Sequence, residues 1–518
     1  MSNRRSTLLK LGLLHGALSL SLLALADEAR AEAPLSAIDW LSESVAAPVP
    51  PPVPPEEPAI TSGGMPEEIT IAPIDGPNPD ATGILSSSTT GLPRDLWGET
   101  ESEVIVGRIA ALRPAGLPAI QDLIYTLLLA ELDPPRASDG RLFLARVDKL
   151  LEFGALDPAM TLLEQAGYEQ PESFRRFFDV ALLTGDEDRA CDKLRVTPDI
   201  APTFPARIFC LARGGDWNAA ALSLRTGHAL GHISTAEEDL LARFLDPELF
   251  EGEPLLPPPS RPSPLVWRMF EAIGEPIPTQ TLPVAYAQAD LRSNTGWKAQ
   301  LEAGERLARL GAIAPNRLLG LYMERVAAAS GGVWDRVRTL QRLDRAMREG
   351  DTAAVAAALP PAWEAMGTAE LETVLGQLFG EALLEMELTG PAAPLAFRLA
   401  LLSPAYETAA AQRGPAAGED GFLAAIAQGN VSAAAAPGSM AAAIREGLAA
   451  SAAPDEIAAL VDENRMGEAL LTVIGRLEDA AGGDPRAVTD GLAGLRALGL
   501  EDVARRSALQ LMILERRG

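Results

Sequence analysis

Apolar residues return along this chain every three or four positions from about Glu103 to the C-terminus, the spacing of helices that bury one face. Phe143, Leu144, Val147, Leu150 and Leu151 form one such face before Gly154, and Ala159, Leu162 and Leu163 form the next after it. Phe178, Ala181 and Leu182 precede Gly185, with Ala190 and Leu194 beyond. Phe209 and Leu211 precede Gly215, with Ala219, Ala221 and Leu222 beyond. The pair Gly-Asp marks the break at Gly185-Asp186, Gly215-Asp216, Gly350-Asp351 and Gly483-Asp484. Glycine closes a helix in the left-handed region at least cost, and an aspartate just after it caps the next helix. Each pair therefore predicts a tight helix-turn-helix. One hairpin cannot bury its face alone, and several in series stack into a continuous core.

From Gly154 through Gly185 to Gly215 the repeat is about 30 residues, in the range of two-helix repeats. Phe178, Gly185 and Ala190, and again Phe209, Gly215 and Ala220, follow a large residue, turn, small residue order over residues 140–225. In this they resemble the tetratricopeptide (TPR) class. The resemblance implies an all-α fold, a right-handed superhelical solenoid of TPR-like hairpins, which binds peptide or protein on a concave face.

The N-terminus reads differently. Arg4, Arg5 and Lys10 precede an apolar run from Leu11 to Ala26, and Ala29-Arg30-Ala31 fits a small-x-small cleavage site. The run is about 16 residues, shorter than the roughly 20 needed to span a bilayer, so residues 1–31 are expected to be a cleaved signal peptide directing export to the periplasm. Residues 32–102 are rich in proline, notably Pro48, Pro50, Pro51, Pro52, Pro54, Pro55 and Pro58, and read as a disordered tether. Within it, segment 66–98 carries Ile69, Ile71 and Trp97. The alternation of the two isoleucines suits strand addition to a partner's sheet edge; the alternative is that the segment folds back on its own helices, favoured by effective concentration.

A second proline-rich stretch, 251–264, is expected to link an N-terminal helical lobe (103–250) to a second lobe (265–408). An Ala/Gly-rich segment (409–453) buries little surface per residue, so it is either close-packed small-residue helix or a linker. Helical hairpins over 454–518 look like a terminal cap.

Charge narrows the partners. The chain has 44 basic and 71 acidic residues, a net charge of −27, which repels nucleic acid and anionic lipid. Its two cysteines, Cys191 and Cys210, fall on helices of neighbouring hairpins and are expected to pair in an oxidising compartment. His228 and His232 stand four apart, with Glu237, Glu238 and Asp239 nearby, a weak metal candidate interrupted by Gly227 and Gly231. No metal or other cofactor is expected. Trp97, Trp267, Trp297 and Trp334 are candidate partner-binding residues, because exposed tryptophan concentrates interface energy.

The expected function is a non-enzymatic scaffold or adaptor binding a protein partner in the periplasm or at the periplasmic face of the inner membrane. Envelope assembly, secretion and flagellar stator support are roles of this kind. The alternative is a peptidoglycan-active hydrolase or its non-catalytic regulator, for which Glu370, Glu381 and Glu385 would have to share one helical face.

Overall fold

The computed structural model describes residues 78–414, 417–480 and 483–514, with no account of the Ala480 side chain. The expected signal peptide and the residues Ile69 and Ile71 lie outside these. The described residues are helical, with no strands and two isolated bridges, Leu85 to Ala130 and Glu101 to Arg136. No described helix is long and apolar enough to cross a membrane.

The Gly-Asp turns form as their chemistry dictates. Gly185, Gly215, Gly350 and Gly483 all have positive φ. Asp186 N donates to Ala181 O at 2.8 Å and Asp216 N to Leu211 O at 2.9 Å, the six-to-one bond that ends a helix at a left-handed residue. Asp216, Asp351 and Asp484 then cap the following helices, Asp351 Oδ1 accepting from both Ala353 N and Ala354 N at 3.0 Å. Asp186 makes no such side-chain bond. The same six-to-one closure recurs without aspartate after Gly154, Gly311, Gly429 and Gly499.

Consecutive helices pack as hairpins, but the core divides elsewhere than at the proline-rich stretch. One apolar cluster holds buried residues from Leu92 to Ala289 and again from Phe397 to Leu514; a second holds Ala287 to Leu399. The chain thus leaves the first core, builds another, and returns. Residues 251–264 are not a lobe boundary: Leu241 before them and Trp267 after them share one core. Proline removes backbone donors without preventing a strap from lying against a surface; Leu256 N donates to Glu275 Oε2 at 2.8 Å, and Pro262 O accepts from Tyr286 at 2.5 Å.

The last helices pack on the first. Glu501–Ile513 contacts Pro118–Leu129, and Met466–Ala480 contacts Ser102–Ala111. Gln510 Oε1 accepts from Ala119 N at 2.9 Å, and Glu468, bound to Arg465, also accepts from Arg108 at 2.7 Å.

The expected tether is folded from Asn78 onward. Asp80 is fully buried and caps the helix Arg141–Glu152 from a distance, accepting from Gly140 N at 3.0 Å and Phe143 N at 2.7 Å. Arg146 donates to Leu128 O, Ala130 O and Thr82 O at 2.7–2.8 Å, satisfying carbonyls where Pro118–Leu129 ends and fixing the incoming segment. Lys149 does the same for Ser102–Ala111, donating to Ala110 O and Leu112 O. Buried charge of this kind persists because every donor finds an oxygen.

Within the Ala/Gly-rich segment, Gly418–Ala427 and Ser439–Ala449 are helices rather than linker. Ser439–Ala449 packs against Pro485–Ala497, and a Cβ on Gly447 would stand 2.7 Å from Thr489 O. Small residues here supply close approach where large ones would have supplied area.

Candidate functional site

A cleft of about 450 Å³ lies beside the Cys191–Cys210 disulfide. Helix Glu187–Val196 supplies Asp188, Asp192 and Arg195; helix Phe204–Arg213 supplies Arg207 and Arg213; the turn after it adds Asp216. The bridge ties the two helices at a Cα separation of 4.9 Å, and both cysteines line the cleft. Arg213 is held by Asp188, its Nε donating at 2.9 Å, and by Glu187 at 3.3 Å. Glu187 is 2% exposed and also accepts from Arg268 at 2.6 Å, so the floor of this face is anchored by charge to helix Pro264–Ala272. The lining is mixed in sign and open to solvent. It suits a polypeptide surface more than a single buried group.

Exposed apolar side chains concentrate in the same stretch of sequence. Among the described residues nine large hydrophobic side chains are exposed, and six of them, Val196, Trp217, Leu222, Leu230, Leu249 and Leu255, fall between 196 and 255. Val196 and Trp217 follow directly on the cleft residues Arg195 and Asp216. A second open depression of about 410 Å³ is lined by Phe250, Leu255 and Ile273.

Trp217 is 51% exposed, and sequence reasoning passed over it for four other tryptophans. Trp97 is 2% exposed and packs on Gly467, where a Cβ would stand 2.5 Å from its ring. Trp267 is buried and donates to Ile277 O at 3.0 Å; Trp297 is buried and donates to Leu321 O at 2.9 Å. Trp334 is half-buried, its ring 5.2 Å from that of Trp297. Trp97, Trp267 and Trp297 are core residues and Trp334 packs against the second core; for Trp267 and Trp297 a satisfied N–H lets a large ring sit inside. The available signal for Trp217 was its position as first residue of helix Trp217–Ala229, straight after the Asp216 cap. Leu222, read as core-facing, is exposed: Ala220, Leu224 and Gly227 face inward, so the helical phase sits two residues off the expected one.

The histidines do not converge. His228 Nδ1 lies 3.0 Å from Glu238, while the His232 ring stacks on Phe204 at 5.7 Å. Glu237 is used in a capping box with Ser234. No grouping able to hold a metal occurs among the described residues. Nor do the three glutamates share a helix: Glu370 precedes Glu372–Leu383 and pairs with Arg309 at 3.5 Å, Glu381 is exposed, and Glu385 lies beyond the helix end. Helix Glu372–Leu383 does run through Gly376 and Gly380, where Leu399 O would stand 2.9 and 2.6 Å from an added Cβ.

Comparison with protein-family models, with curated proteins and with solved structures gave no match.

Proposed function

We propose that this protein is a helical-repeat scaffold of the cell envelope that binds a protein partner through the face between residues 187 and 255. The observation that carries this reading is that six of the nine large exposed hydrophobic side chains among the described residues fall between 196 and 255, the stretch whose helix Phe204–Arg213 also lines a cleft of about 450 Å³. Apolar patches rimmed by charge mark interaction surfaces. Trp217 has the chemistry of an interface anchor, a rigid exposed ring that follows directly on the cleft residue Asp216 in the chain. The disulfide across the cleft supports the exported reading, because such bridges persist in oxidising compartments. It also holds the face rigid, which lowers the cost of ordering it on binding. The partner belongs to the periplasm or the periplasmic face of the inner membrane.

The test is capture from an envelope extract by the immobilised chain, compared with Trp217→Glu. An alanine-scan hot spot is worth about 2 kcal/mol or more, so the variant is expected to lose the captured species at least about 30-fold. Its far-ultraviolet circular dichroism and melting temperature should match wild type, since Trp217 is outside the core. Equal capture by both proteins would move the binding surface elsewhere.

A further inference from the structure

The open depression of about 410 Å³ lies where helix Thr235–Leu245, the proline-rich strap after it and the turn following helix Pro264–Ala272 meet. Its walls are tied by charge. Arg243 donates to Pro254 O at 2.9 Å and to Glu275 at 3.3 Å, its guanidinium lies over the Phe250 ring, and Glu275 Oε2 accepts from Leu256 N at 2.8 Å. The Arg243–Glu275 pair cancels its own charge and holds the strap on the helix ends, so the depression is formed before anything enters it. Phe250 and Ile273 line it half-buried, and Leu255 lines it 76% exposed.

The rest of the rim is acidic. Glu248 and Glu251 are exposed lining residues with no ion-pair partner among the described residues, and Glu253 stands 3.7 Å from Arg243. These carboxylates do not converge on a metal, since no grouping able to hold one occurs among the described residues. An exposed leucine in a formed depression is covered favourably by an apolar side chain, and carboxylates around it select one flanked by positive charge. The sign also disposes of other occupants. Residues 32–77 carry Glu56, Glu57, Glu67 and Glu68 among other acids and no lysine or arginine, and a second copy of the chain brings the same net charge of −27. Nucleic acid and anionic lipid are repelled likewise.

We infer that this depression seats a basic segment of the protein partner, an apolar side chain resting on Phe250, Leu255 and Ile273 while flanking lysine or arginine side chains reach Glu248 and Glu251. The inference rests on the reading of residues 187–255 as the partner-binding face, whose last part lines the depression. It adds the chemistry of the segment bound. The uncompensated carboxylates speed encounter and make the binding weaken as salt rises.

The probe is a short dye-labelled peptide alternating lysine and leucine, titrated with the full chain and followed by fluorescence polarisation. Saturable binding is expected, absent for the peptide with glutamate in place of lysine and about tenfold weaker for the one with serine in place of leucine. Glu248→Gln with Glu251→Gln should weaken it about fivefold or more, and Leu255→Ser about tenfold, all at exposed positions that leave the melting temperature unchanged. Glu349→Gln with Glu446→Gln removes the same charge at exposed positions that do not line the depression, and should leave the affinity as it is. Equal loss in the two double variants would reveal a general attraction to an acidic chain and overturn the inference. So would equal binding of the lysine–serine peptide, or no saturable binding at all. Capture from the envelope extract separates this inference from the reading beneath it: loss in Trp217→Glu with full capture by the Glu248→Gln, Glu251→Gln variant would leave the partner face standing and overturn the basic segment.

Discussion

Asp179 is the residue at which folding and proton binding are most tightly joined. It is buried on helix Pro171–Thr184, with Arg175 Nη1 3.8 Å from its Oδ2, too far for a hydrogen bond, while Arg176 is taken by Asp148 in a two-pronged pair at 2.5 and 2.6 Å. Burial pushes the Asp179 carboxyl up to about 7; Arg175 and Arg176 oppose this and Asp148 adds to it. The native state therefore holds a proton that the unfolded chain releases near 3.8. Its contribution is fully present at acid pH and is lost as the pH rises from the unfolded value through the folded one, at no more than about 1.4 kcal/mol per pH unit. Asp179→Asn cannot titrate. Denaturant unfolding of both proteins between pH 4 and 8 should show the variant gaining on wild type as pH rises, and a difference that stays constant would contradict the account. The Tyr286 hydroxyl, raised well above its ordinary value by burial and by Asp179, stays neutral throughout this window.

Helices in this protein are set by what their small residues touch. Gly447 packs against Thr489 O, and an added methyl there must displace backbone; Gly447→Ala is expected to lose about 1–3 kcal/mol as overpacking does. Gly475, inside helix Met466–Ala480, has nothing within 4 Å of an added Cβ, so Gly475→Ala should gain about 0.5–1 kcal/mol from helix propensity. Opposite shifts in thermal melting check both; a rise in both would show that helix propensity, not contact, governs this region, and a fall in both would contradict the open surroundings of Gly475. The segment 78–98 is another element held by contact. Leu92, Leu96 and Trp97 are buried, Gly467 N donates to Leu96 O at 2.7 Å, and Glu99 N donates to Asn464 O at 3.0 Å. Deleting 78–98 should lower the melting temperature and expose apolar surface to a hydrophobic dye; an unchanged melt would mean that the segment contributes nothing in cis.

Much of the element level was legible beforehand. The 3.6-residue period and the Gly-Asp pairs give the hairpins, and the paired cysteines sit on neighbouring helices as their spacing suggested. Two things were not legible, for physical reasons. A proline-rich composition indicates where backbone donors are missing, but says nothing of an aspartate such as Asp80 that is completed only by a hydroxyl and two amides about sixty residues away. A tryptophan's type does not tell inside from outside: Trp217 is exposed by the end of one helix, while Trp97 is covered by a helix 370 residues later in the chain, about which local pattern carries no information.

At the scale of the whole described region, the chain returns to its start. Two cores are built in sequence, and helices after Leu399 complete the first by packing on helices before Leu132. Contacts of such separation form late and bind the array into one cooperative unit, in contrast to an open stack whose repeats meet only their neighbours. Closure leaves the face around the disulfide as a rigid surface on a fixed frame, the condition for a scaffold that presents one patch to one partner. The most direct test places a photo-activated cross-linking residue at position 217 in the native cell, with the same residue at position 320 as a control. Gly320 has open space around it and is not among the residues lining the cleft. The account predicts one discrete envelope-protein adduct from position 217, and none from 320. No adduct at 217, or the same adducts from both positions, would contradict the claim that this face binds the partner.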